Sequence, residues 1–383
     1  MDRSNASPRD KSLNLLQNAA LPFDFEHDAK LHNPAVDRAR ASFELGSFEI
    51  AYNQLKQLQA DEIIATHASQ IQQQIFKCIE SLNNIFLIES IEDLRNDLML
   101  YRQIDHKDGS AIVGLCIKLI RFKYSDTEEA FSLQQIAEDE FLINCLANDY
   151  YPDVEIERFL TDIRRQLLLT SVQDLKINET YLPLFQALAL QGYLTEYAFY
   201  VREDEQEVVN SLNNELGNIL TSEECSLEDI TNLMLLLSMY QPLVSTNAHP
   251  ALHGLQSEQL PEFLQDIFSL TYLEPIDIET KAEKVITLGT INRDSETVQQ
   301  QYEESPYPKF NRVNYSPTPV NYRARSAHLF DKSLNLDVLD AMPLEILVAG
   351  CGTGFHPVQI AKSCDNANVT AIDRKSTRLN SSH

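Results

Sequence analysis

Apolar residues recur at helical spacing along most of this chain, and the pattern sets in at Pro34. In DVEIERFLTDIRRQLLLT, Ile156, Phe159, Leu160, Ile163 and Leu167 fall at i, +3, +4, +7 and +11, one stripe of an amphipathic helix. Asp153, Glu155 and Glu157 open that stretch and Arg164 and Arg165 come later, the order a helix dipole favours. LPLFQALALQGYLTEYAFYV (Leu182–Val201) is apolar almost all round and predicts a buried helix, with Tyr193, Tyr197 and Tyr200 repeating at +4 and +7 as core residues. EDEQEVVNSLNNELGNIL and SLEDITNLMLLLSMY continue in the same way, each opening with acidic residues. Glycine is scarce throughout. These signals predict an all-α region over residues 33–272.

One stretch inside it has a finer pattern. In ARASFELGSFEIAYNQLKQL, Gly46, Phe48, Ala51, Leu55 and Leu58 stand at offsets 0, +2, +5, +9 and +12. The order of small residue, aromatic and alanine resembles the second half of a tetratricopeptide repeat, although any close helical hairpin selects small residues at its crossing. No second copy follows at a 34-residue period, which leaves a short or degenerate array open and excludes a long regular one.

The character changes near Leu273. Residues 273–325 are rich in proline and tyrosine, and Pro306, Pro308, Pro317 and Pro319 break any helix begun by Ser295–Glu303. Tyr302, Tyr307, Phe310, Tyr315 and Tyr322 favour packing onto something, so the segment reads as an ordered connector or lid laid across the next domain. Residues 1–32 are polar, broken by Pro8 and Pro22, and read as a loosely ordered leader.

The pattern changes again at LEILVAGCGTGFHP. A short apolar strand ending at Ala349 runs straight into Gly350-Cys351-Gly352-Thr353-Gly354, a helix runs from Phe355 to about Ser363, and a second strand, NVTAID, ends in Asp373. This is a β–α–β unit with a glycine-rich first turn, the start of a Rossmann-like α/β domain placed at residues 326–373. Gly350 allows a tight exit from the strand, and Gly352 lets backbone approach a ligand without a Cβ clash. Asp373, 23 residues after Gly350, lies at the distance that sets a carboxylate beside a ribose at the neighbouring strand end. A dinucleotide fingerprint would place its third small residue at Phe355; here the glycine comes one earlier, at Gly354.

Charge narrows the choice of partner. The net charge of −26 is uneven: residues 301–383 hold nine Lys/Arg against eight Asp/Glu, leaving 22 against 49 in the rest. Such a field repels nucleic-acid backbone, so no nucleic-acid partner is expected. SPYP in QYEESPYPKF has the wrong residue order for the motif of amino-methylating nucleic-acid enzymes. Six cysteines scattered without a CxxC pair, and an N-terminus without an apolar signal core, predict reduced thiols in the cytoplasm and no metal site. No apolar run approaches the ~18 residues of a membrane span, so no membrane partner is expected.

Taken together, GYLTEYAFYVREDEQ, QYEESPYPKF and ILVAGCGTG with TAID resemble a bacterial family that fuses a tetratricopeptide-like helical part to a class I S-adenosylmethionine-dependent methyltransferase domain. The resemblance covers most of residues 33–373, and that family carries a QYEENPYPRW-like segment where this chain has QYEESPYPKF. It implies S-adenosyl-L-methionine as cofactor, held by Ala349, Gly350, Cys351, Gly352, Thr353, Gly354 and Asp373, with methyl transfer to an acceptor. The acceptor is unassigned; a protein or peptide recruited by the helical region fits best. Tyr302 and Tyr307 either cap the cofactor as a lid or brace the connector. Many such enzymes carry an acid where Val348 stands, which leaves contacts to the cofactor's amino-acid end unassigned; the family's loop often lacks that acid too. A seven-stranded sheet is implied, of which this stretch supplies two, so the catalytic residues are unassigned. RKSTRLNSSH (374–383) is polar and aperiodic and reads as a non-native tail, with native sequence ending at or near Asp373. Weak or no cofactor binding and no turnover are therefore expected of this truncated form. The alternative is a helical scaffold or interaction protein whose methyltransferase-like domain only binds.

Overall fold

The computed structural model describes residues 34–59, 67–107, 109–125, 131–173, 175–220, 227–282, 312–315, 317–326, 329, 335–340 and 343–373. They fall into two compact units, one within Met1–Leu115 and Phe310–Arg374, the other within Cys116–Lys309. Among the described residues, no helix is long and apolar enough to cross a membrane.

The first unit opens with α1 (Pro34–Glu44) and α2 (Phe48–Gln59), which pack as a hairpin, and continues with α3 (Ala68–Ile79) and α4 (Ile91–Arg102). Pro34 takes the first helical position, where its missing N–H costs nothing. Gly46 turns the hairpin at φ +75°, and Ala51, Leu55 and Leu58 are buried behind it. The hairpin expected from the 0, +2, +5, +9, +12 pattern is present, with the glycine in the turn and the small residue at the crossing. Its interior also holds a charge. The Asp97 carboxylate, 2% exposed, accepts from Tyr52 Oη at 2.8 Å and Gln72 Nε2 at 3.3 Å and lies 3.0 Å from Lys56 Nζ. Burial and that carboxylate push the Tyr52 phenol well above its usual range.

Helix α5 (Val113–Tyr124) carries the chain into the second unit. That unit contains α6 (Leu133–Ala137), α7 (Glu140–Asn148), α8 (Val154–Ser171), α9 (Leu182–Leu194), α10 (Glu203–Leu220), α11 (Leu227–Ser238), α12 (His249–Leu252), α13 (Glu262–Phe268) and α14 (Glu274–Ala282). Helix α9 is the centre: it packs against α6, α7, α8, α11 and α13. That explains a sequence apolar on every side, with Leu184, Phe185, Leu188 and Ala189 all buried. Helix α8 begins at Asp153, whose carboxylate caps the N–H groups of Glu155 and Ile156.

Two expectations change here. The helix predicted over Leu182–Val201 ends at Leu194. Glu196 and Tyr197 both take left-handed conformations (φ +54° and +59°), with Tyr197 N–H bonded to Gly192 C=O at 2.8 Å and Glu196 N–H to Tyr193 C=O at 3.2 Å. This is a Schellman close, in which the residue after the turn packs on the last helical turn. A Cβ on Gly192 would sit 3.1 Å from the Tyr197 ring, so glycine makes room for it. The tyrosine stripe is thereby broken, and Tyr200 is exposed. Helical structure also continues past Leu273: a π turn at Ser269–Leu273 joins α13 to α14. Pro275, with no N–H to give, stands just after the widened turn.

The chain returns to the first unit with 312–315 and 317–326, including α15 (Tyr322–Ser326), and continues there in β1 (Leu344–Ala349), α16 (Phe355–Ser363) and β2 (Ala367–Ile372). The strands pair in parallel, from Leu344 opposite Ala367 to Ala349 opposite Ile372. Val320 forms a bridge beside Cys364, and Asn366 accepts from Tyr322 N–H at 2.8 Å, so the described part of the connector lies along the base of this β–α–β unit.

Candidate functional site: the glycine loop after β1

The loop is built by the end of the sheet. Gly350 N–H and Cys351 N–H both donate to Ile372 C=O, at 2.8 and 3.2 Å, so the chain leaves β1 while still tied to the last residue of β2. Gly354 N–H then closes a turn on Cys351 C=O at 3.0 Å, and Val358 N–H bonds back to Gly354 C=O as α16 begins. Gly350, Gly352 and Gly354 all have positive φ (+72°, +54° and +97°), a region that costs any residue with a Cβ. A Cβ on any of the three would meet nothing within 4 Å. The glycines are therefore demanded by the backbone, and the space above them is open.

The residues singled out from sequence converge on this loop. Ala349 ends β1 opposite Ile372, which sets Asp373 beside Gly350. Thr353 is buried beneath the loop, and Cys351 is half-buried. Burial raises the Cys351 thiol pKa, and the Asp373 charge raises it further. Tyr302 and Tyr307, named as lid or brace, lie outside the described residues.

Pro357, the third residue of α16, has no N–H, so the helix start has one backbone donor fewer than usual. A pyrophosphate needs such donors more than a ligand held by a ribose diol and an adenine ring does. Sequence spacing alone did not reveal this proline's effect.

Among the described elements, one face of the sheet meets no helix. Helix α16 packs against β2 on one side, while Leu347 on the other is 62% exposed and Ile372 37%. Parallel strands normally have both faces covered.

Sequence reasoning passed over one spacing. His249 and His253 stand four apart, as in a helical metal pair, but α12 ends at Leu252 and His249 tilts onto the Tyr272 ring at 5.5 Å. Among the described residues no group of His, Cys, Asp and Glu is arranged to hold a metal.

No protein-family model, curated protein or solved structure matches this chain.

Proposed function

We propose that Leu344–Asp373 is the S-adenosylmethionine-binding start of a class I methyltransferase domain, and that the helical region recruits the methyl acceptor, a protein or peptide. The observation that carries this reading is the placement of Asp373 at the end of β2, beside a loop of three left-handed glycines with open space above it. The residues fit the cofactor. Ala349 to Gly354 would line its amino-acid and ribose portions, and the Asp373 carboxylate would accept from the ribose hydroxyls, since a carboxylate is an acceptor for two O–H donors at once. When bound, the cofactor supplies an electrophilic methyl group on a sulfonium, and the chain's contribution is to position it. The donor that Pro357 removes from the start of α16 favours this ligand over a dinucleotide.

Saturation-transfer NMR on the full chain tests the reading, because it registers binding as weak as the millimolar range. S-adenosylmethionine should receive saturation at its ribose and adenine protons, and Asp373→Ala should abolish the ribose signal. Stronger saturation of NAD⁺ than of S-adenosylmethionine, or signals indifferent to Asp373→Ala, would overturn it.

A further inference from the structure

The first unit contains a cavity of about 570 Å³ that is separate from the glycine loop. Its walls come from α3 and the end of α4 on one side and from Asn314–Pro317, α15 and α16 on the other. The volume lies within the ~300–1,000 Å³ typical of small-molecule sites. The two sides are tied by one backbone and one side-chain hydrogen bond: Tyr315 N–H donates to His106 C=O at 3.2 Å, and the Arg312 guanidinium donates to Arg102 C=O.

The lining is cationic in a protein of net charge −26. Lys77, Lys107 and Arg325 face a single carboxylate, Glu80. Glu80 is already engaged: Tyr101 Oη donates to it at 2.7 Å and Lys107 Nζ at 2.6 Å. With Glu80 taken by Lys107, the charge of Arg325 is added to a pair that is already balanced. Among the described residues, the Arg325 guanidinium has no carboxylate partner. Its charge is felt by Cys364, whose thiol pKa it lowers against the larger effect of burial.

Aromatic side chains back the wall, Phe76 and Tyr101 from the buried core and Tyr315 from its half-buried rim. Phe76 and Tyr101 meet edge to face at 5.5 Å, and the Tyr315 ring stands edge-on to His106 at 6.2 Å with Lys362 Nζ 5.0 Å from its centre. Planar groups favour such offset and edge contacts. Burial and the neighbouring Lys107 lower the His106 pKa against the opposing pull of Asp105 and Glu80.

We infer that this cavity binds a small organic anion bearing a planar ring, its phosphate or carboxylate held by Arg325 with Lys107 and its ring lodged against Tyr315. The site does not depend on the methyltransferase reading, because none of its residues belongs to the glycine loop.

Phenyl phosphate is a suitable probe, titrated calorimetrically into the full chain beside inorganic phosphate and phenol. Phenyl phosphate should bind more tightly than either fragment. Arg325→Gln and Lys107→Gln should each weaken it about tenfold, the size of one lost charge-assisted contact, and Asp373→Asn should leave it unchanged. Should either variant lose the wild-type helical circular dichroism, the other carries the test. Phenol binding as tightly as phenyl phosphate would show an apolar crevice only. That result, an affinity indifferent to the charge-removing variants, or no heat up to about 10 mM probe would overturn the assignment. An effect of Asp373→Asn equal to that of Arg325→Gln would place the probe at the glycine loop and overturn it too.

Discussion

Helix α9 and the β1–β2 pair are both strongly apolar, yet the fold treats them in opposite ways. Helix α9 satisfies its own backbone hydrogen bonds, so its side chains are free to be covered on every side, and five helices do so. The two strands share hydrogen bonds with each other alone among the described elements, and only one face meets a helix. Leu188 is 2% exposed and Leu347 62%. The same residue type is thus core in one region and bare surface in the other; what differs is whether a neighbour packs over it.

The largest expected effect breaks this contrast directly. Leu188→Ala should destabilise the second unit by about 2–5 kcal/mol, the range for truncation in a closed core. Leu347→Ala should change stability by no more than about 0.5 kcal/mol. Urea unfolding followed by circular dichroism measures both. A cost at Leu347 equal to that at Leu188 would mean that the outer face of the sheet is covered in solution.

Glycine sharpens the comparison further, because the two regions use it for different reasons. Gly192 has ordinary helical backbone and is small because Tyr197 needs its space; Gly354 has open space and is glycine because of its φ of +97°. Gly192→Ala should cost about 1–3 kcal/mol through overpacking, and Tyr197→Ala should restore most of that loss. Gly354→Ala should cost about 1–2 kcal/mol of backbone strain, which no second-site truncation relieves. Comparing the two cycles by chemical denaturation separates a packing glycine from a conformational one.

The smallest effect concerns pH. Burial and Lys107 lower the His106 pKa in the folded chain, so the unfolded chain binds this proton more readily. Stability should therefore fall as pH drops below the unfolded value of about 6.5, and His106→Gln should flatten that part of the profile. A profile between pH 5 and 7 identical in the variant would show that other groups govern it.

Much of the local structure was legible in the sequence because its causes are local. Period-3.6 stripes specified the helices, Pro34 and Asp153 marked two of their starts, and the run from Leu344 through Gly354 to Asp373 defined strand, turn, helix and strand to within a residue. The glycine-loop candidates came together because a parallel β–α–β unit leaves little freedom in register. The end of α9 was not legible. LTEYAFYV continues an apolar helical pattern, and only the docking of Tyr197 on Gly192 stabilises two left-handed residues that propensity disfavours.

The sequence by itself determined where this chain is helical, where it turns on glycine, and which carboxylate ends its second strand. Tertiary structure alone decided that Arg312 and Tyr315 return to residues near position 100, across more than two hundred intervening positions, and so assemble a cationic cavity inside an acidic protein. The physical reason is range. Helix and turn preferences act over a few neighbouring residues, whereas Lys77, Lys107 and Arg325 come together only once distant segments are packed against one another.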